Sequence, residues 1–207
     1  MEYLDSLFGQ VLEVVADNHY WMSANLVLAM VPAAMAVALF VREHRRTAGW
    51  WLGVLAFGLL LPNAPYVVTD LVHLRHDAAM AESDGVLVAG VLPLYAAFVV
   101  AGYLAYVVAV ELVVREVRSG HPSLARWRIE VPVHLACSVG IVLGRLARLN
   151  SWDTVMAPTR TAERAVSTLT WGGAPLAVGA VFLAVWLTHS AVRAIVRACW
   201  GATRTFA

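Results

Sequence analysis

The chain has 207 residues, 60% of them hydrophobic and 14% charged, with a formal net charge of +1 and a mean hydropathy of +0.70. A water-soluble domain carries about a quarter charged residues, so this composition excludes an ordinary soluble fold and requires lipid as part of the solvent. Every basic residue is Arg and none is Lys, which argues against Schiff-base chemistry or a covalently held retinal.

The first 18 residues carry Glu2, Asp5, Glu13 and Asp17 and no basic residue, so they do not read as a signal peptide. Leu4, Leu7, Phe8, Val11, Leu12 and Val15 recur at helical spacing. They predict an amphipathic helix lying on the membrane or packed on the bundle. Apolar runs of about 20 residues or more then predict five transmembrane spans, at about 22–41, 48–74, 85–114, 129–149 and 171–192. Span two is broken by Pro62 and Pro65. Span three is the longest; a break at Pro93 is the alternative, but no polar loop there supports two spans. The expected fold is an all-α, polytopic five-span helix bundle forming one membrane domain over residues 1–207, with the lipid bilayer as its partner. Cys137 and Cys199 lie far apart and read as small apolar residues.

Charge sets the expected orientation. Arg42, Arg45 and Arg46 follow span one, Arg115, Arg118, Arg126 and Arg128 lie between spans three and four, and Arg193, Arg197 and Arg204 follow span five. Positive-inside bias puts these groups in the cytoplasm, hence the N-terminus outside and the C-terminus inside. Arg145, Arg148, Arg160 and Arg164 fall on the other side and run against the rule.

The outer ends of the spans then gather polar residues. Asn25 opens span one, Asn63 sits in the Pro62–Pro65 break, and Asp84 opens span three. A helical continuation past Pro65 places Asp70, His73 and Asp77 on one face. In span four His134, Ser138, Arg145, Arg148 and Trp152 form one stripe. Charged groups at membrane depth face a bundle interior or a wet cavity, so the Asp70 face is expected to meet Arg145 and Arg148, with Asp84 and Asp153 closing the rim. Pro62 and Pro65 free carbonyls in the preceding turn, and Asn63 offers replacement donors. Broken helices of this kind line cavities and binding sites.

Leu61-Pro62-Asn63-Ala64-Pro65-Tyr66, then Thr69-Asp70-Leu71 and His73-Leu74, together with Gly144-Arg145, Arg148 and Asn150-Ser151-Trp152-Asp153, resemble the signature of a bacterial family of predicted integral membrane proteins, domain of unknown function number 1361. Asn25 and Asp84 fit the same pattern, whereas His76-Asp77 and His134 do not belong to it. The resemblance covers about residues 22–190. It implies a membrane protein with a shared polar site and no particular reaction, and it suggests a bacterial inner or plasma membrane.

Three readings of the site stand side by side. In the first, Asp70 and His73, joined by Asp77, Asp84 or Asp153, hold a divalent metal such as zinc. That metal activates water for a hydrolase or transferase acting on an outer-leaflet or anionic substrate, and the catalytic set is Asp70, His73, Asp84, Arg145, Arg148 and Asp153. In the second, the cluster belongs to a proton- or anion-coupled transporter or binding protein. Arg145 and Arg148 then grip an anionic or lipid ligand, with Asn25, Asn63, Tyr66, Asn150 and Trp152 around it. In the third, the chain is an accessory subunit and the Asp–Arg pairing is helix glue. His134 reads as a hydrogen-bonded packing residue and Tyr95, Tyr103 and Tyr106 as core. Residues 154–170 read as an amphipathic cover over the site. A homo-oligomer is compatible with the small bundle, and nothing supports nucleic-acid binding.

Overall fold

A computed structural model describes the backbone of residues 2–41 and 46–205, and side chains within 5–41 and 46–198. The expected Arg42, Arg45, Cys199 and Arg204 side chains lie outside the described residues. No strand occurs among the described residues, and five helical segments are long and apolar enough to cross a membrane: Asp5–Phe40, Ala48–Met80, Asp84–Gly120, Trp127–Leu146 and Ala174–Ala198.

The first helix differs from the expected pair of elements. α1 runs without interruption over Glu2–Phe40, Pro32 included, about 58 Å at 1.5 Å per residue. The expected amphipathic segment and span one are therefore a single rod. Its amino-terminal part packs on the start of the third span: a methyl added at Gly90 would lie 3.2 Å from Val11, and Gln10 bonds Glu82 at 2.5 Å. Lower down, α1 packs along the third span, and its Ala29 and Ala36 are fully buried. Small residues at such a contact let backbones approach where no hydrophobic effect drives helices together.

Span two is built in pieces. α2 (Ala48–Leu60) stops before Pro62, α3 (Asn63–Tyr66) forms one turn, a 3-10 turn covers Val67–Asp70, and α4 runs over Leu71–Met80. Loss of the Pro62 and Pro65 N–H groups would strand carbonyls in apolar surroundings. The carbonyls four residues before the prolines are those of Gly58 and Leu61. Ala64 N–H takes Leu61 O at 3.1 Å, and side chains take the carbonyls between them, as expected for Asn63. Asn63 Nδ2 donates to Leu60 O at 3.0 Å, and Ser151 Oγ donates to Leu59 O at 3.0 Å. Close approach does the rest. Gly102 faces Val67, where an added Cβ would sit 2.7 Å from Val67 Cγ2, and Gly140 faces Pro62, where it would sit 2.6 Å from Cγ.

Span three opens with α5 (Asp84–Val86), passes through a π turn at Leu87–Val91 and continues as α6 (Leu92–Gly120). The π turn immediately precedes Pro93, whose missing N–H an unbroken α-helix would need. Pro93 therefore widens the span without splitting it. α7 covers Trp127–Leu146, α8 Asp153–Met156, α9 Pro158–Thr170 and α10 Ala174–Thr205. Span four ends three residues earlier than expected, which places Arg148 and Trp152 beyond the helix.

The Gly140 contact makes a prediction about the bundle. Gly140→Leu drives α7 off the Pro62 turn at a cost of about 1–3 kcal/mol, so the unfolding temperature in detergent falls. Gly179, with no atom within 4 Å of an added Cβ, tolerates the same substitution without a shift.

Candidate functional site

The broken stretch of span two delivers Asp70 to the interior. The tight 3-10 turn leaves its side chain 4% exposed, and a lone carboxylate there would be costly. Two spans supply its partners. Arg145 Nη2 lies 2.6 Å from Asp70 Oδ1, and Asn25 Nδ2 donates to Oδ2 at 2.9 Å. The arginine is itself fixed: its Nε donates to Thr69 Oγ1 at 2.8 Å, and its guanidinium stacks over the Tyr66 ring, 4.5 Å from the centroid. Gly144 makes room for that ring, since an added Cβ would sit 3.1 Å from Tyr66 Cε2. A planar, always-charged fork suits this combination of stacking and directed donation. Arg145 Nη1 has no hydrogen-bond partner among the described residues.

Beside this pair lies a cavity of about 600 Å³. Asn25, Asp70, Arg145, Arg148, Asn150 and Trp152 line its polar end. Leu28, Gly58, Leu59, Val139, Gly140 and Leu143 line an apolar extension that reaches Ala136, about 14 Å below Arg145 along α7. Gly58, Leu59 and Ala136 are also exposed on the bundle surface, so this extension opens sideways between α2 and α7. The charged lining is one carboxylate against two guanidinium groups. Toward the bundle axis Cys137, Ser138, Ile141 and Val142 are buried and close off α7.

Arg148 stands apart from Arg145. It follows the end of α7 with φ 51°, the left-handed conformation that usually takes Gly at a helix terminus. Leu149 N–H reaches back to Leu143 O at 3.4 Å. A non-glycine residue there costs about 1–2 kcal/mol. Among the described residues no carboxylate lies within salt-bridge distance of Arg148, and its side chain is exposed at the cavity wall.

The other expected residues are placed as follows. Asn63 and Tyr66 line the cavity, and Asn63 Nδ2 also donates to Ser151 Oγ at 3.2 Å. Asp153 accepts the Asn150 N–H at 2.7 Å and is not part of the lining. Asp84 is exposed in the first turn of α5 and does not close the rim. α9 contributes Thr161 and Ala165 to the cavity wall, with Thr161 Oγ1 bonded to Asp153 O at 2.9 Å. The expected metal set of Asp70, His73 and Asp77 does not converge. Arg145 and Asn25 occupy both Asp70 oxygens, His73 lies exposed with its ring 5.1 Å from that of Trp21, and Asp77 accepts the Tyr95 hydroxyl at 2.9 Å. Expected core residues Tyr95, Tyr103, Tyr106 and Cys137 are buried.

A second polar cluster lies outside the expected site. Glu111, Arg126, Glu130, His189 and Arg193 meet at the opposite end of the bundle, beside His134. The available signals were two carboxylates at the edges of apolar runs, Glu111 and Glu130, and an isolated His inside span five.

Five membrane-length helices with a buried Asp–Arg pair beside a cavity define a polytopic membrane protein. Residues 24–188 match the family model described as "Protein of unknown function (DUF1361)", and the chain belongs to that family. No curated protein and no solved structure matches it.

The Asn25 contact can be tested directly. Asn25→Leu leaves a buried Asp70 oxygen without its donor, and stability falls by about 1–3 kcal/mol in thermal unfolding. Ser23→Ala, which removes only an exposed bond to local carbonyls, leaves it unchanged.

Proposed function

We propose that the chain binds an anionic amphiphile, with its head on Arg145 and Arg148 and its apolar chain in the groove that runs down α7. The observation that carries this reading is Arg148: a guanidinium in a strained left-handed position, unpaired among the described residues and facing the same cavity as Arg145. Backbone strain of this kind is retained where a side chain is needed in one place. The excess of positive charge at the polar end favours an anion, and guanidinium groups hold phosphate or carboxylate oxygens through paired N–H donors. The sideways opening admits a ligand from the bilayer. Positive-inside orientation puts this end at the outer face of the cell membrane.

The geometry favours binding over the other readings. Metal-assisted hydrolysis or transfer through Asp70 and His73 has less support, because His73 is exposed against Trp21 and Asp77 bonds Tyr95, so neither joins Asp70. Coupled transport has less support too, because α7 is buried at Cys137, Ser138, Ile141 and Val142 between the cavity and the Glu130 end, with the Ser138 hydroxyl donated to His134 O. The helix-glue role of Asp70–Arg145 is compatible with binding, since the pair leaves Arg145 Nη1 and all of Arg148 free for a ligand.

Arg148→Gly separates function from fold. Glycine relieves the left-handed strain, so thermal stability holds or rises. Retention of dodecyl phosphate by the protein in neutral maltoside detergent falls at least tenfold. Wild-type retention in Arg148→Gly would refute the reading.

A further inference from the structure

The Glu130 end of the bundle is built as carefully as the Arg145 end. Glu111 on α6, Glu130 on α7 and His189 on α10 each present a ligand atom, all within 4.8 Å of one another. Glu130 and His189 are 7% and 1% exposed. Arg126 joins the two carboxylates, lying 2.6 Å from Glu130 Oε1, while Arg193 Nη1 bonds the same oxygen at 2.8 Å. His134, fully buried, lies beside His189 with ring centroids 4.8 Å apart. Its Nδ1 is 2.5 Å from the Tyr106 hydroxyl oxygen. The Nε2 atoms of both histidines are buried and have no hydrogen-bond partner among the described residues.

We propose that Glu111, Glu130 and His189 bind a first-row divalent metal cation, with Arg126 as the group that the ion displaces and His134 packed beside the site. Two carboxylates and neutral imidazole nitrogens are the donor set that zinc, iron and manganese take. Atoms already within 4.8 Å of each other need to close by only about an ångström to meet a shell with metal–ligand distances of about 2.0–2.2 Å. The His189 nitrogen that faces Glu130 is Nδ1, 4.0 Å from Oε1. The buried Nε2 atoms of His189 and His134, unpaired among the described residues, leave imidazole nitrogen to spare for a cation, since buried polar atoms are normally paired. The tautomer of His134 that donates Nδ1–H to Tyr106 leaves a lone pair on Nε2. Arg193 holds Glu130 in place through its bond to that carboxylate, as outer partners orient metal ligands.

Arg126 marks where positive charge is favoured. It sits just before α7 with its side chain 21% exposed, so the guanidinium can turn outward to the interface and leave the carboxylates to a smaller cation. The two carboxylates and two guanidinium groups cancel. Exchange of Arg126 for a dication adds one positive charge, so the arginine competes with the ion and sets its affinity.

Cobalt(II) reports on such a site through its visible absorption. The full chain, purified in detergent, is titrated with Co²⁺ and then challenged with Zn²⁺. One Co²⁺ per chain is expected, displaced by Zn²⁺. Binding weakens at least tenfold in His189→Ala and in Glu111→Gln, the latter altering a carboxylate that is 37% exposed and so placing little strain on folding. Arg126→Gln tightens it at least tenfold, and Asp84→Asn, which removes an exposed carboxylate at the other end, leaves it unchanged. Wild-type protein that binds no more Co²⁺ than His189→Ala would overturn the proposal, as would equal affinity in wild type and Arg126→Gln. Zn²⁺ raising the unfolding temperature of wild type but not of Glu111→Gln supports it without depending on the arginine variant.

Discussion

A carboxylate in the interior of a membrane bundle must be answered by a positive charge, and at Asp70 that answer fixes much else. Asp70 sits on span two and Arg145 on span four, so their contact at 2.6 Å joins residues 75 apart in sequence and ties the two spans together. Removing one partner of a buried pair costs about 3–5 kcal/mol, because the other is left uncompensated. Several neighbouring features serve this contact. The proline break and 3-10 turn swing Asp70 inward, Asn25 takes the second oxygen, Thr69 and Tyr66 hold the guanidinium, and Gly144 clears the space for Tyr66.

The two arginines beside the cavity divide the labour. Arg145 is committed to Asp70, Thr69 and Tyr66 and is the structural member. Arg148, two residues beyond the helix end, has no such obligations and keeps a conformation that glycine would hold at less cost. A bundle selected only for stability would not place arginine there. The same logic distinguishes the Glu130 end, where two arginines neutralise two carboxylates yet two imidazole nitrogens have no partner among the described residues.

Much of the fold is legible in the sequence because a bilayer leaves few choices: apolar length gives the five spans, and prolines mark the segmentation of span two. The Asp70–Arg145 meeting is legible for the same reason, since buried charge seeks its opposite. The rest depends on geometry that spacing does not encode. The helical spacing that predicts a stripe from His134 to Trp152 holds through Ser138 and Arg145, but the chain leaves the helix at Leu146, so Arg148 and Trp152 lie in an end cap and a loop. The Asp70–His73–Asp77 face dissolves because each side chain finds a different partner: Arg145, Trp21 and Tyr95. The Glu111–Glu130–His189 cluster draws one residue from each of three spans, and nothing local in any of them announces the other two.

The central claim is that Asp70 and Arg145 act as one unit holding spans two and four. A double-mutant cycle on thermal or denaturant stability with Asp70→Asn, Arg145→Gln and both together tests it most directly. Arg145→Gln should cost about 3–5 kcal/mol, Asp70→Asn less because Arg145 is 32% exposed, and the double should cost no more than the worse single, because the uncompensated charge is gone. Additive losses would show that the two side chains contribute independently and would contradict the account.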